Sequence, residues 1–172
     1  MKREEVERVK QFYLRCALRC YVAGVIPKEV DSTSGVKRYR DSELGLVYID
    51  EYRTVGDYSF GNTIIYKAAA RNRILWQMQY QGWCRDDDPR IISFLKAALK
   101  ETYSNGVWNF GRGPTNFTDD RWRGLEYSVE GWDSQSFEQF QCGELIRDQK
   151  HEKKPVVFWH RLHGMLLDHV EE

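Results

Sequence analysis

The chain has 172 residues, 41% of them hydrophobic, which is enough to bury a real core in a single domain. Its 26 basic and 26 acidic residues cancel to a formal net charge of +0. That balance withholds the broad positive field behind non-specific DNA or RNA binding, so nucleic acid is a disfavoured partner.

Residues 3–23 predict a helix, because Val6, Val9, Phe12, Tyr13, Cys16, Ala17 and Cys20 recur at three- and four-residue spacing. Gly24 is its expected stop. Residues 25–42 mix Pro27, Ser32, Ser34 and Gly35 with charges and read as a loop. Residues 45–52 read as a strand whose one face carries Leu46, Tyr48, Asp50 and Tyr52, an acid standing between two tyrosines. A turn at 54–57 precedes two short strands, 58–60 and 63–69. The polar turn Arg71-Asn72-Arg73 then opens the run 74–82. There Ile74, Trp76, Met78 and Tyr80 share one side, and Leu75, Gln77, Gln79 and Gln81 the other. The linker 85–89 ends in Asp88-Pro89, an N-cap and first-turn pair for a helix over 89–103. A loop from 104 to 120 holds Gly111-Arg112-Gly113-Pro114.

The second half echoes the first. Phe94-Leu95-Lys96-Ala97-Ala98-Leu99-Lys100 answers Tyr13-Leu14-Arg15-Cys16-Ala17-Leu18-Arg19, and Gly124-Leu125-Glu126-Tyr127 answers Gly45-Leu46-Val47-Tyr48. Residues 140–146 answer 60–65, and 156–164 answer 74–82, with Gly82 and Gly164 lying 82 positions apart (164 − 82). The expected fold is α+β: an internally duplicated unit of one helix plus an antiparallel meander. The two copies, about 3–84 and 86–167, share one core in a single domain over 1–172. A curved antiparallel sheet packs against the helices.

These pieces carry a family resemblance. Tyr48-x-Asp50-x-Tyr52, Phe60-Gly61, Trp76-x-Met78-x-Tyr80-x-Gly82, Phe94-Leu95 with Leu99, Arg112-Gly113-Pro114, Tyr127, Gly143-Glu144 with Ile146, and His163-Gly164 occur in this order. The chain thereby resembles the bacterial family termed domain of unknown function 5680, whose members stand alone or behind helix-turn-helix regulators. The resemblance implies a bacterial or phage setting and company with regulators, and it brings no activity with it. Where the family tends to carry an acid soon after its first Phe-x-Gly, this chain has Asn62; the family's early Ser-Arg-Pro has no match within 30–43. No helix-turn-helix module has room ahead of the first repeat.

The charged start Met1-Lys2-Arg3-Glu4-Glu5 is unlike a secretory signal, and no run approaches the ~20 apolar residues of a membrane span, so a cytoplasmic setting without a membrane is expected. Cys16, Cys20, Cys84 and Cys142 form no Cys-x-x-Cys pair and read as free thiols. No metal or cofactor is expected.

No Walker loop, Gly-x-Ser-x-Gly elbow or His-Glu-x-x-His helix is present. His160 falls with Phe158 and Leu162 and reads as a hydrogen-bonded core residue, whereas His163 shares its side with Trp159 and Arg161; His151 and His169 read as exposed. Asp50, Glu144 and Glu130 are the carboxylates of interest, and Asp50 with Glu144 would form an acid–base pair if they converge. Arg112 between two glycines fits an anion site, or else a structural loop with its side chain packed or paired.

The aromatic excess points to a ligand surface. The leading expectation is a non-enzymatic small-molecule-binding or sensing domain for a nucleotide- or sugar-like ligand. Its site would comprise Tyr48, Asp50, Tyr52, Trp76, Tyr80, Arg112, Glu144 and His163. Two other classes stand beside it: a homodimerising interaction module using the face of Gln77, Gln79 and Gln81, and a hydrolase with Asp50, Glu144 or His163 as acid or base.

Overall fold

The computed structural model describes residues 1–85, 88–109 and 111–167. Asp86 and Asp87 of the linker, and His169, lie outside them. Two α-helices, α1 (Arg3–Ala17) and α2 (Arg90–Asn105), pack on a nine-stranded antiparallel sheet. The strands are β1 (Glu29–Val30), β2 (Lys37–Glu43), β3 (Leu46–Val55), β4 (Tyr58–Lys67), β5 (Ala70–Cys84), β6 (Asn116–Phe117), β7 (Leu125–Ser136), β8 (Gln139–Asp148) and β9 (Val156–Leu166). Their order in the sheet is β1-β2-β3-β4-β5-β9-β8-β7-β6. Two meanders thus meet at the β5–β9 seam, where Tyr80 lies opposite Leu162, Gly82 opposite His160 and Met78 opposite Gly164.

The helices form where the apolar spacing demands. Val6, Val9, Phe12, Tyr13, Cys16 and Ala17 are buried on α1, and Ile91, Phe94, Leu95, Ala98 and Leu99 on α2. Tyr13 meets Trp76 of β5 with ring centroids 4.8 Å apart, and Trp76 stacks on Phe137 at 4.8 Å. The α1 helix widens into a π-helical turn, Leu18–Val22, which carries Cys20 inward and brings Tyr21 beside Ala17 over the sheet. Gly106 ends α2 in the left-handed conformation (φ 66°), and its carbonyl accepts a bond from the Gln11 side chain of α1 at 2.9 Å.

Four expectations need correction. The turn expected at 71–73 falls at 68–69, and 71–73 belong to β5. Residues 25–42 contain the two edge strands β1 and β2 rather than a loop alone. The edge strand β2 turns only Tyr39 and Asp41 fully inward, so its outward charges mask the alternation. The loop 104–120 includes β6, which pairs with Ser128 and Tyr127 of β7. Finally, β4 is continuous through Gly61-Asn62. A glycine there admits Tyr80: a β-carbon on Gly61 would overlap the Tyr80 phenol and stand 2.7 Å from the Glu51 carbonyl. Gly82 sits under His160 and Gly164 under Phe140 in the same way. Gly61, Gly82 and Gly164 therefore each receive an aromatic ring from the strand beside it.

Candidate binding site

Between the helices and the first meander lies a cavity of about 450 Å³. Eight of the ten tyrosines line it, which places most of the chain's phenols around one space. Tyr13 comes from α1, Tyr21 from the π turn, Tyr39 from β2, Tyr48 and Tyr52 from β3, Tyr58 from β4, Tyr80 from β5 and Tyr103 from α2. Period-two alternation turns Tyr48, Asp50 and Tyr52 to this side, and the cross-strand register sets Thr63 opposite Asp50.

Asp50 forms the polar centre. Its Oδ1 accepts hydrogen bonds from the Thr63 hydroxyl and the Tyr80 hydroxyl, both at 2.9 Å. Asp50 is only 6% exposed, and burial pushes its carboxyl above the ordinary range, against the opposing pull of the two hydroxyls and Arg112. Burial and the nearby Asp50 charge likewise raise the Tyr80 phenol well above its usual value, so it stays a donor.

Beside it runs a second polar chain. Arg112 binds Glu144 as a fork, Nε to Oε1 at 3.1 Å and Nη2 to Oε2 at 2.6 Å. Glu144 is fully buried. Burial works against the Arg112 charge, but the field and hydrogen bonds of Glu144 outweigh it and hold the guanidinium protonated. Arg112 also lies over the Tyr80 ring, 5.2 Å from its centroid. Its Nη2 donates to His160 Nδ1 at 3.2 Å, since a guanidinium has no lone pair to accept with. His160 Nε2 therefore carries the ring proton and donates to Ser59 Oγ at 2.8 Å. Burial, aided by the Arg112 charge, lowers the His160 pKa well below its usual value and keeps the ring neutral.

The structure brings Tyr48, Asp50, Tyr52, Tyr80 and Arg112 together on the cavity wall. Glu144 lies behind them, with both oxygens taken by Arg112. Trp76 does not line the cavity: it is fully buried, and its indole N–H donates to the Phe137 carbonyl at 2.9 Å. His163 is on the other side of the sheet. With Gln79, Gln81 and Arg161 it lines a separate groove of about 470 Å³. The odd spacing from His160 to His163 separates the two rings. Glu130 is exposed on β7. Cys16, Cys20 and Cys142 are buried and Cys84 is half-buried, and burial pushes Cys142 up to about 12.

Sequence reading missed Tyr13, Tyr21, Tyr39, Tyr103 and Thr63 as wall residues. Tyr13 belongs to a helical stripe that a core explains equally well, Tyr39 fell in a stretch that read as a loop, and only the folded chain shows that all five share a space. Among the described residues no helix is long and apolar enough to cross a membrane. Comparison of the chain with protein-family models, curated proteins and solved structures finds no match.

Proposed function

We propose that this chain is a non-enzymatic small-molecule-binding or sensing domain whose ligand occupies the tyrosine-lined cavity. The observation that carries this reading is the cavity itself. Its volume of about 450 Å³ falls within the ~300–1,000 Å³ typical of ligand pockets, with flat aromatic walls and a few preorganised polar groups. A Tyr80 hydroxyl locked on Asp50, and an Arg112 locked on Glu144, hold those groups without help from a ligand.

Binding is favoured over hydrolysis by the direction of the hydrogen bonds. A nucleophilic serine needs a neighbouring histidine whose facing nitrogen accepts its proton. Here His160 points an N–H at Ser59, because Arg112 claims the other nitrogen. Glu144 is closed by its own arginine, so Asp50 and Glu144 do not form a free acid–base pair.

Internal duplication is part of the proposal, as is kinship with the domain of unknown function 5680 family. The ladders support duplication: Tyr48 pairs Ile65 and Asp50 pairs Thr63, as Tyr127 pairs Ile146 and Val129 pairs Glu144. A cytoplasmic setting belongs to the same reading. A homodimer through the opposite sheet face is the second reading, favoured by the groove there and by Phe60 at its edge, 45% exposed.

Native mass spectrometry of gently purified protein, followed by denaturing extraction, tests the proposal. A small molecule released in stoichiometric amount is the expected result. A bare chain at dimer mass that takes up no small molecule would transfer the argument to the second reading.

A further inference from the structure

The charges around the cavity are arranged by depth. Lys28 precedes β1, Lys37 stands in β2 and Lys96 in α2, yet all three line this one space. Lys28 is exposed, and Lys37 and Lys96 are half-buried, so they mark the mouth. Among the described residues, two acids line the space near them: Asp88, already paired with Arg90 at 2.6 Å, and Asp57. Among the described residues the mouth therefore carries three lysines from separate parts of the chain against two carboxylates, one of them already paired.

Three tyrosine faces are also occupied by the protein's own cations. Lys37 lies 5.4 Å from the Tyr52 centroid, Lys96 5.1 Å from Tyr21 and Arg112 5.2 Å from Tyr80. A cationic ligand would meet like charges where an aromatic cage would normally hold it. An anion gains at the lysines, and less at Arg112, whose charge Glu144 already neutralises. At the deep end the demand is opposite. Asp50 takes both of its protein bonds on Oδ1, which directs a ligand N–H to Oδ2.

Taking the cavity as a ligand site, we infer that it receives a nucleoside phosphate with the base inward. An amino or imino N–H of the base meets Asp50 Oδ2, the ring stacks among the tyrosines, and the phosphate rests on Lys28, Lys37 and Lys96. A neutral sugar would leave the three lysines unanswered.

Calorimetric titration with AMP, GMP and CMP, their nucleosides and inorganic phosphate tests this. At least one nucleotide should bind, its nucleoside tenfold or more weakly, and inorganic phosphate not measurably. The triple substitution K28A/K37A/K96A should bring the nucleotide to the nucleoside's affinity. Asp50→Asn, which keeps the shape and the Oδ1 acceptor, should weaken nucleotide and nucleoside by a similar factor of about ten, the order of one good hydrogen bond. Failure of all three nucleotides to bind, or a triple variant with wild-type affinity, overturns the inference. Ile92 of α2 also lines the cavity and is 39% exposed; a retained molecule without a phosphate, lost on sealing the mouth with Ile92→Trp, would overturn the inference while leaving the binding reading intact. A retained molecule unaffected by Ile92→Trp would overturn both.

Discussion

The two meanders present similar ladders to the helices and differ in what covers them. On β3–β5, Tyr48, Asp50, Thr63 and Tyr80 border open space. On β7–β9, Tyr127, Val129 and Cys142 are covered by the loop that follows α2. A β-carbon on Gly111 would stand 2.8 Å from the Cys142 sulfur, and one on Gly113 would overlap the Tyr127 hydroxyl. Only glycines let the backbone lie this close. Between them Arg112 reaches Glu144, His160 and the face of Tyr80. The loop thus fills one half of the sheet and walls the other. On the side facing the helices, the described cavity therefore lies over the first meander and not the second.

The sharpest way to break the contrast is to remove the residue at its boundary. Arg112→Ala leaves Glu144 buried without a partner, and the cost should be about 3–5 kcal/mol in denaturant unfolding. The double substitution Arg112→Met with Glu144→Leu should restore much of that stability, because it removes both charges together. Glycine substitutions come next. Gly113→Ala should cost about 1–3 kcal/mol by unseating the loop from Tyr127. Gly61→Ala should cost a similar amount on the open side by displacing Tyr80 from Asp50, and calorimetry should show the larger loss of binding in that variant.

Smaller effects follow from pH. His160 is held neutral in the fold while an unfolded histidine titrates near ~6.5. As pH falls through that value the unfolded chain gains the proton first, so stability drops. Thermal unfolding between pH 8 and 5 should show this fall in the wild type and a flatter profile in His160→Gln. Asp50 runs the other way. Its raised carboxyl pKa means that the unfolded chain ionises first as pH rises above ~3.9, which costs stability toward neutrality. Asp50→Asn should therefore be at least as stable as wild type at pH 7, with the difference closing in acid.

The helices, the strand alternation and the position of Asp50 between tyrosines were all legible in the sequence, because each depends on residues close together in the chain. So was the repeated run that closes on Gly82 and Gly164, but the rings that cover those glycines, His160 and Phe140, come from neighbouring strands and were not. The edge strand β2 was hidden, since an edge needs only two inward residues and its charges outnumber them. Trp76 and Tyr80 share one side of β5, yet one is sealed in the core by Phe137 and the other borders the cavity. That distinction depends on which helix or loop lies above, and period two carries no record of it. Arg112, spaced far from Glu144 and His160, is joined to them only through the loop's crossing of the sheet.

The central claim is one open site on a sheet with two comparable halves, and ligand stoichiometry tests it most directly. Native mass spectra recorded across a titration with the nucleotide that binds best should show a single adduct per chain that disappears with Gly61→Ala and persists with Gly113→Ala. Two adducts per chain, or one that persists in Gly61→Ala and is lost in Gly113→Ala, would contradict it.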